Sequence, residues 1–162
     1  MFLGRLSMTE VGRAALDRHQ ALARLKDLIS ARSELYLKLV VSCLDYRTSD
    51  WGSRLLLTKA LTSTPESGRL YSTRWLGVLA RARAPSFAMY GVELLVEQLR
   101  DKSPQVAHTA LNILDEVCDD KMFLESLVAA KSALLSTNGM AALDALGDRG
   151  KLLLTRRVPL VA

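Results

Sequence analysis

Four carboxylates crowd one short stretch of the chain: Asp115, Glu116, Asp119 and Asp120. A hard cation such as calcium takes several oxygen ligands, so the stretch has the right chemistry for one. It lacks the alternating ligands and the central glycine of a calcium loop. It therefore reads as an acidic helix end facing solvent, with some of its members opening the next helix, where negative charge is favoured. His19 and His108 have no Cys or His at a ligand interval and read as surface or boundary side chains. Cys43 and Cys118 have no His or Lys beside them in sequence to favour a thiolate. Each sits in an apolar helical pattern as a small buried hydrophobe would. Gly147-Asp148-Arg149-Gly150-Lys151 superficially looks like a phosphate loop, but only two residues separate its glycines, and Leu152 stands where Ser or Thr is needed. It reads as a turn. Arg81 and Arg83 can meet an anion, although positive charge already has a local reason at a helix C-terminus. Trp51 and Trp75 are isolated and suit a core or seam better than a base-stacking platform. No catalytic, cofactor-binding or metal-ligating residue is assigned from this survey, and no cofactor is expected.

The elements that carry these residues are helical. Val11–Ser30 reads as one helix with Val11, Ala15, Leu22, Leu25, Leu28 and Ile29 inward. Ser33 can cap a second, running to about Asp45, with Glu34 in its first turn. Trp51–Thr62 is its partner, with Leu55, Leu56, Leu57 and Leu61 apolar. A break follows over residues 63–68, which hold Pro65 and Gly68. Arg69–Arg83 is then a helix stopped by Pro85. Phe87–Arg100 turns Phe87, Val92, Leu95, Val96 and Leu99 inward. Ser103 can cap the next helix with Pro104 at its first position, where a missing N–H costs nothing. Met122–Ser132 and Met140–Leu146 complete the set, and no alternating strand is found.

Above the single helices stands a period. Tyr36, Val40, Val41 and Leu44 recur 35 residues on as Tyr71, Trp75, Leu76 and Leu79, and again as Val106, Ala110, Leu111 and Leu114. A fourth echo, Ala141, Ala145 and Leu146, fails at Arg149. Spacing of this kind marks one face of a helix, and its recurrence at a constant interval marks stacked helical pairs. The expected fold is all-α, a HEAT/armadillo-like α-solenoid of stacked antiparallel pairs. About four pairs are expected over 1–154, part of a longer array, with a frayed tail over 155–162. Hydrophobic residues make up 49% of the 162-residue chain and aromatics only 6%, which favours helices built from Leu and Ala. An array of this kind displays surface, so a binding role comes before an enzymatic one.

Charge is uneven. Residues 1–81 hold 13 Lys/Arg against 7 Asp/Glu, while the remainder holds 9 against 10. The basic residues, among them Arg13, Arg18, Arg24, Arg32, Arg47 and Arg54, are dispersed rather than clustered, so nucleic acid is not expected as a partner. An acidic protein surface remains an alternative partner. No run reaches the roughly 18 apolar residues of a membrane span. The two cysteines suggest no disulfide framework, so a cytoplasmic setting is expected.

Gly91–Asp120 resembles a HEAT-type helical pair. Leu44-Asp45-Tyr46, Arg69-Leu70-Tyr71-Ser72-Thr73-Arg74-Trp75-Leu76 and Ile113-Leu114-Asp115-Glu116-Val117-Cys118, in that order, resemble the central helical-repeat region of the rictor/pianissimo family. The similarity runs over about 35–154, is weaker over 1–34, and departs after Leu154. The resemblance implies a piece of a longer, non-catalytic scaffold subunit of the second target-of-rapamycin kinase complex. Its implied partners are the kinase and the other subunits of that complex. Its implied output is growth, survival and cytoskeletal signalling.

Overall fold

The structure is a computed structural model that describes residues 2–30, 33–46 and 52–136. Among these residues there are nine helices and no strand. They are α1 (Phe2–Ser7), α2 (Glu10–Arg18), α3 (Ala21–Ser30), α4 (Glu34–Cys43), α5 (Ser53–Ser63), α6 (Glu66–Arg81), α7 (Phe87–Gln98), α8 (Pro104–Val117) and α9 (Lys121–Ser136). The fold is all-α and solenoid-like in its wiring, since helices pack on near neighbours in sequence. Two compact units divide it: one runs through Trp75 and takes in Ala84–Ser86, and the other holds Leu76–Arg83 and resumes at Phe87.

In the first unit α1 packs on α2, α2 on α3, α3 on α4 and α5, and α4 on α5. Leu25, Ile29, Leu37, Val41, Leu56, Leu57, Ala60 and Leu61 form its core, each at most 4% exposed. The start of α1 comes so close to the end of α4 that a Cβ on Gly4 would strike the Cys43 carbonyl oxygen. Glycine is required there by space. Ser7 ties the same junction: its hydroxyl donates to the Gly4 carbonyl at 2.8 Å and accepts from the Asp45 N–H at 3.2 Å.

The second unit is built on α7, which packs against both α8 and α9. Phe87 is 1% exposed and meets Tyr90 and Phe123 edge-on, with ring centroids 5.4 and 6.0 Å away. Such T-shaped pairs suit the ring quadrupole. Ser103 caps α8 by accepting from the Val106 N–H at 3.5 Å, and Pro104 takes the first helical position, as the sequence predicts.

The 35-residue period is the spacing from α4 to α6 to α8. Of its members, Val40, Val41, Leu44, Leu76, Leu79, Val106, Ala110, Leu111 and Leu114 are all buried. Trp75 and Tyr71 are half-buried, while Tyr36 is exposed. The fourth echo and the Met140–Leu146 helix lie outside the described residues, as do the tail, Trp51 and the Gly147–Lys151 turn.

Several local expectations are corrected. Val11–Ser30 is two helices, because His19 closes α2 and Gln20 adopts a left-handed φ of 54°. Val11 then lies in the first turn of α2 and is 82% exposed. Leu28 and Leu55 are also exposed, at the edge of their helices' inward faces. Ser33 occupies the N-cap position of α4 but its side chain makes no capping bond. Thr9 does cap α2, accepting from the Gly12 N–H at 3.1 Å. The break before α6 shrinks to Thr64-Pro65, since the chain re-enters a helix directly after the proline.

Candidate functional site

The second unit brings the acidic stretch and the two arginines together. Arg81 ends α6, and its Nη1 lies 2.9 Å from Glu116 Oε2 near the end of α8. Arg83, in the turn beyond α6, places Nη2 3.2 Å from Asp120 Oδ2. These four residues, with Ala80, Val117, Asp119 and Phe123, line a cavity of about 270 Å³. Arg81 and Glu116 stand 35 residues apart. They therefore stand at equivalent positions of the 35-residue period.

This arrangement settles what the carboxylates do in the fold. Asp120 starts α9: its Oδ1 accepts from the Met122 N–H at 3.0 Å and its backbone carbonyl accepts from the Leu124 N–H at 3.0 Å. Glu116 answers Arg81. Among the described residues no three His, Cys, Asp or Glu side chains converge as metal ligands do. The side chains of Arg81 and Glu116 are about half exposed and that of Arg83 is 78% exposed. Exposed pairs of this kind contribute roughly 0–1 kcal/mol, so the cluster adds little to the stability of the fold.

The remaining candidates sit in structural roles. His108 is exposed, with Nδ1 2.8 Å from the Pro104 carbonyl. His19 closes α2 through its backbone N–H. Cys118 is buried and Cys43 half-buried, and neither is in a disulfide. Trp75 is half-buried, in line with a place at the core or seam, and Trp51 is not among the described residues.

A second concavity of about 400 Å³ lies between α7 and α9, lined by Ala88, Met89, Val92, Glu93, Val96, Glu97, Ser126 and Ala130. Sequence reasoning missed it. Its only signal was the exposed Met89 at the start of a strongly apolar helix, and Met89 is 79% exposed in the structure.

The first two of the three sequence stretches that carry the family resemblance are scaffolding, while the third, Ile113–Cys118, also carries the exposed Glu116. Leu44, Asp45 and Tyr46 are buried, and the Tyr46 hydroxyl donates to the Val41 carbonyl at 2.7 Å. Arg69 is 5% exposed, and its guanidinium donates to the Thr64 carbonyl at the end of α5. Ser72 and Thr73 are fully buried and bond back to Gly68 and Arg69 at 2.9 Å. Motifs fixed by burial and backbone bonding report common ancestry of the fold, and that is tested by comparison. Residues 1–80 match the family described as rapamycin-insensitive companion of mTOR, middle domain, and residues 86–160 match the rapamycin-insensitive companion of mTOR RasGEF_N domain.

The chain belongs to the rictor/pianissimo family. It is 41% identical over 157 residues to the rapamycin-insensitive companion of mTOR of Mus musculus and of Homo sapiens. That covers 96% of this chain and 9% of those relatives. It is 38% identical over 156 residues to protein pianissimo A of Dictyostelium discoideum, covering 95% of this chain and 13% of that protein. It is 29% identical over 116 residues to the target of rapamycin complex 2 subunit ste20 of Schizosaccharomyces pombe. The rictor-family chain thus spans about a tenth of the length of the relatives it matches. The two family matches leave only residues 81–85 between them, the turn that holds Arg81 and Arg83.

Proposed function

We propose that this rictor-family segment is a non-catalytic scaffold piece of target of rapamycin complex 2. It would present helical surface to the kinase and to other subunits and so support assembly and substrate access in growth, survival and cytoskeletal signalling. The observation that carries this reading is the similarity over nearly the whole chain to rictor and pianissimo A, together with the complex named in the description of the fission-yeast relative. A surface role is supported by the charged cluster that lies open at the turn after α6. Residues 1–154 are read as part of a longer array of helical pairs, acting in the cytoplasm. No described helix is long and apolar enough to cross a membrane.

The test is affinity capture of the full-length gene product that contains this segment, with recovery of the target-of-rapamycin kinase as the readout. The kinase should co-purify with the unaltered protein. Its recovery should fall when α8 is broken by Ala110→Pro. Capture of an unrelated acidic partner with no kinase present would favour instead a generic HEAT/armadillo interaction adaptor that binds an acidic partner.

A further inference from the structure

The turn between α6 and α7 reads Arg81-Ala82-Arg83-Ala84-Pro85-Ser86-Phe87. Ser86 has arginines three and five residues upstream and a large apolar residue directly after it. Protein kinases choose substrates largely by charge pattern. A kinase with carboxylates in its upstream subsites would grip two guanidinium groups through charge-assisted bonds. Across the whole sequence no other Ser or Thr has Arg at both positions. Ser72 and Ser103 have an arginine three residues upstream, Arg69 and Arg100, but they are 0% and 5% exposed.

We propose that Ser86 is a phosphorylation site for a basophilic protein kinase, recognised through Arg81 and Arg83. The structure offers the three side chains as a kinase needs them. Arg81, Arg83 and Ser86 are all exposed. Residues 82–86 lie outside any helix, and Arg83 and Ser86 take left-handed φ values of 48° and 60°. Two backbone bonds tie the start of the turn to α6, from the Ala82 N–H to the Val78 carbonyl and from the Arg83 N–H to the Ala80 carbonyl, both at 2.9 Å. Bonds at an exposed helix end open at low cost, so the turn can be drawn into a cleft by fraying the last turn of α6. The two ion pairs at Arg81 and Arg83 are exposed and therefore inexpensive to open. The one buried part is Phe87, the first residue of α7. Engagement of that ring by the kinase requires the first turn of α7 to open.

In the reaction the Ser86 hydroxyl oxygen attacks the γ-phosphorus of ATP. The bond from that phosphorus to the bridging oxygen breaks, ADP leaves, and the hydroxyl proton passes to the kinase's own base. The product carries about −1.5 to −2 charges at neutral pH. They sit directly before the first residue of α7, where the helix dipole favours negative charge. The turn thereby changes from net positive to near neutral.

The test treats the full 162-residue chain with ATP and a purified kinase that selects arginine three and five residues before serine. Phosphopeptide mass spectrometry reads the sites. Ser86 should be the principal site, and Ser86→Ala should abolish that signal. Arg81→Ala and Arg83→Ala should each slow labelling about tenfold, the loss expected for one charge-assisted contact. Circular dichroism of each variant should be unchanged, since all three residues are exposed. Equal labelling of the arginine variants would overturn the proposal. So would labelling of a synthetic peptide spanning residues 79–90 while the folded chain stays unlabelled, because Phe87 would then hold the site closed.

Discussion

Single residues in this chain divide into those that fill space and those that only meet solvent. Leu111 is 3% exposed on the inward face of α8. Leu111→Ala should lower stability by about 2–5 kcal/mol, measured as a fall in the urea midpoint. Gly91 is a space constraint of a different sort: a Cβ there would run into the Phe87 ring. Gly91→Ala should displace that ring from Phe123 and cost roughly 1–3 kcal/mol by overpacking, with a weakened near-ultraviolet aromatic signal as the check. Arg81→Met is the contrast. It removes a well-formed but half-exposed ion pair, so the midpoint should move by less than about 1 kcal/mol. At this scale burial was legible where an apolar residue recurred at helical spacing, as with Leu95, Leu99, Ala110, Leu111 and Leu114, all buried. Pairing was not legible. Nothing local to Glu116 says that its partner is Arg81, because that contact is made between helices. Val11 misled because apolar type was taken for inward direction, and the first turn of a short helix at its cap has few neighbours to cover it.

Helices as elements were legible where their ends carry their own chemistry. Ser103-Pro104 marks the start of α8, and that boundary holds in the structure, while α6 ends at Arg81, two residues before the expected Arg83, because Arg83 turns left-handed ahead of Pro85. Ser103→Ala should cost about 1 kcal/mol by removing the cap, read from the thermal midpoint, whereas Ser33→Ala should cost little because Ser33 makes no capping bond. The break at Gln20 was hidden, since glutamine carries no turn signal, yet it takes a left-handed φ of 54° where α2 gives way to α3. α1 was hidden as well: it is only six residues long and is held by tertiary ties such as Gly4 against Cys43 and Ser7 to Asp45. A helix so short has no stability of its own in water. Ala110→Pro is the test of an element as a unit. It deletes a hydrogen bond in the middle of α8 and clashes with the preceding turn, at about 3 kcal/mol or more. Loss of helical ellipticity beyond one turn would show that α7 and α9 depend on α8.

For the molecule as a whole, the period announced the architecture before any single helix boundary was secure. Helices two apart in sequence meet in both units: α3 with α5, and α7 with α9. The chain also leaves apolar side chains uncovered, including Leu35 at 66%, Tyr36 at 49% and Leu39 at 41% on one stretch of α4. Adjacent exposed groups of this kind promote association. Sedimentation velocity should therefore show species that grow with concentration, and a single monomer across the range would count against this expectation. The meeting of Arg81 with Glu116 across an interval of 35 residues has a consequence for heredity. By the same offset, an in-frame duplication of the repeat that holds Arg81 would set that arginine beside a copy of itself, so a copied repeat would be accommodated only after one of the two changed sign. A shorter insertion inside α8 would rotate every later side chain on that helix away from its mate. Changes in length should thus accumulate in the turns rather than inside α8 in the lineages that carry this gene.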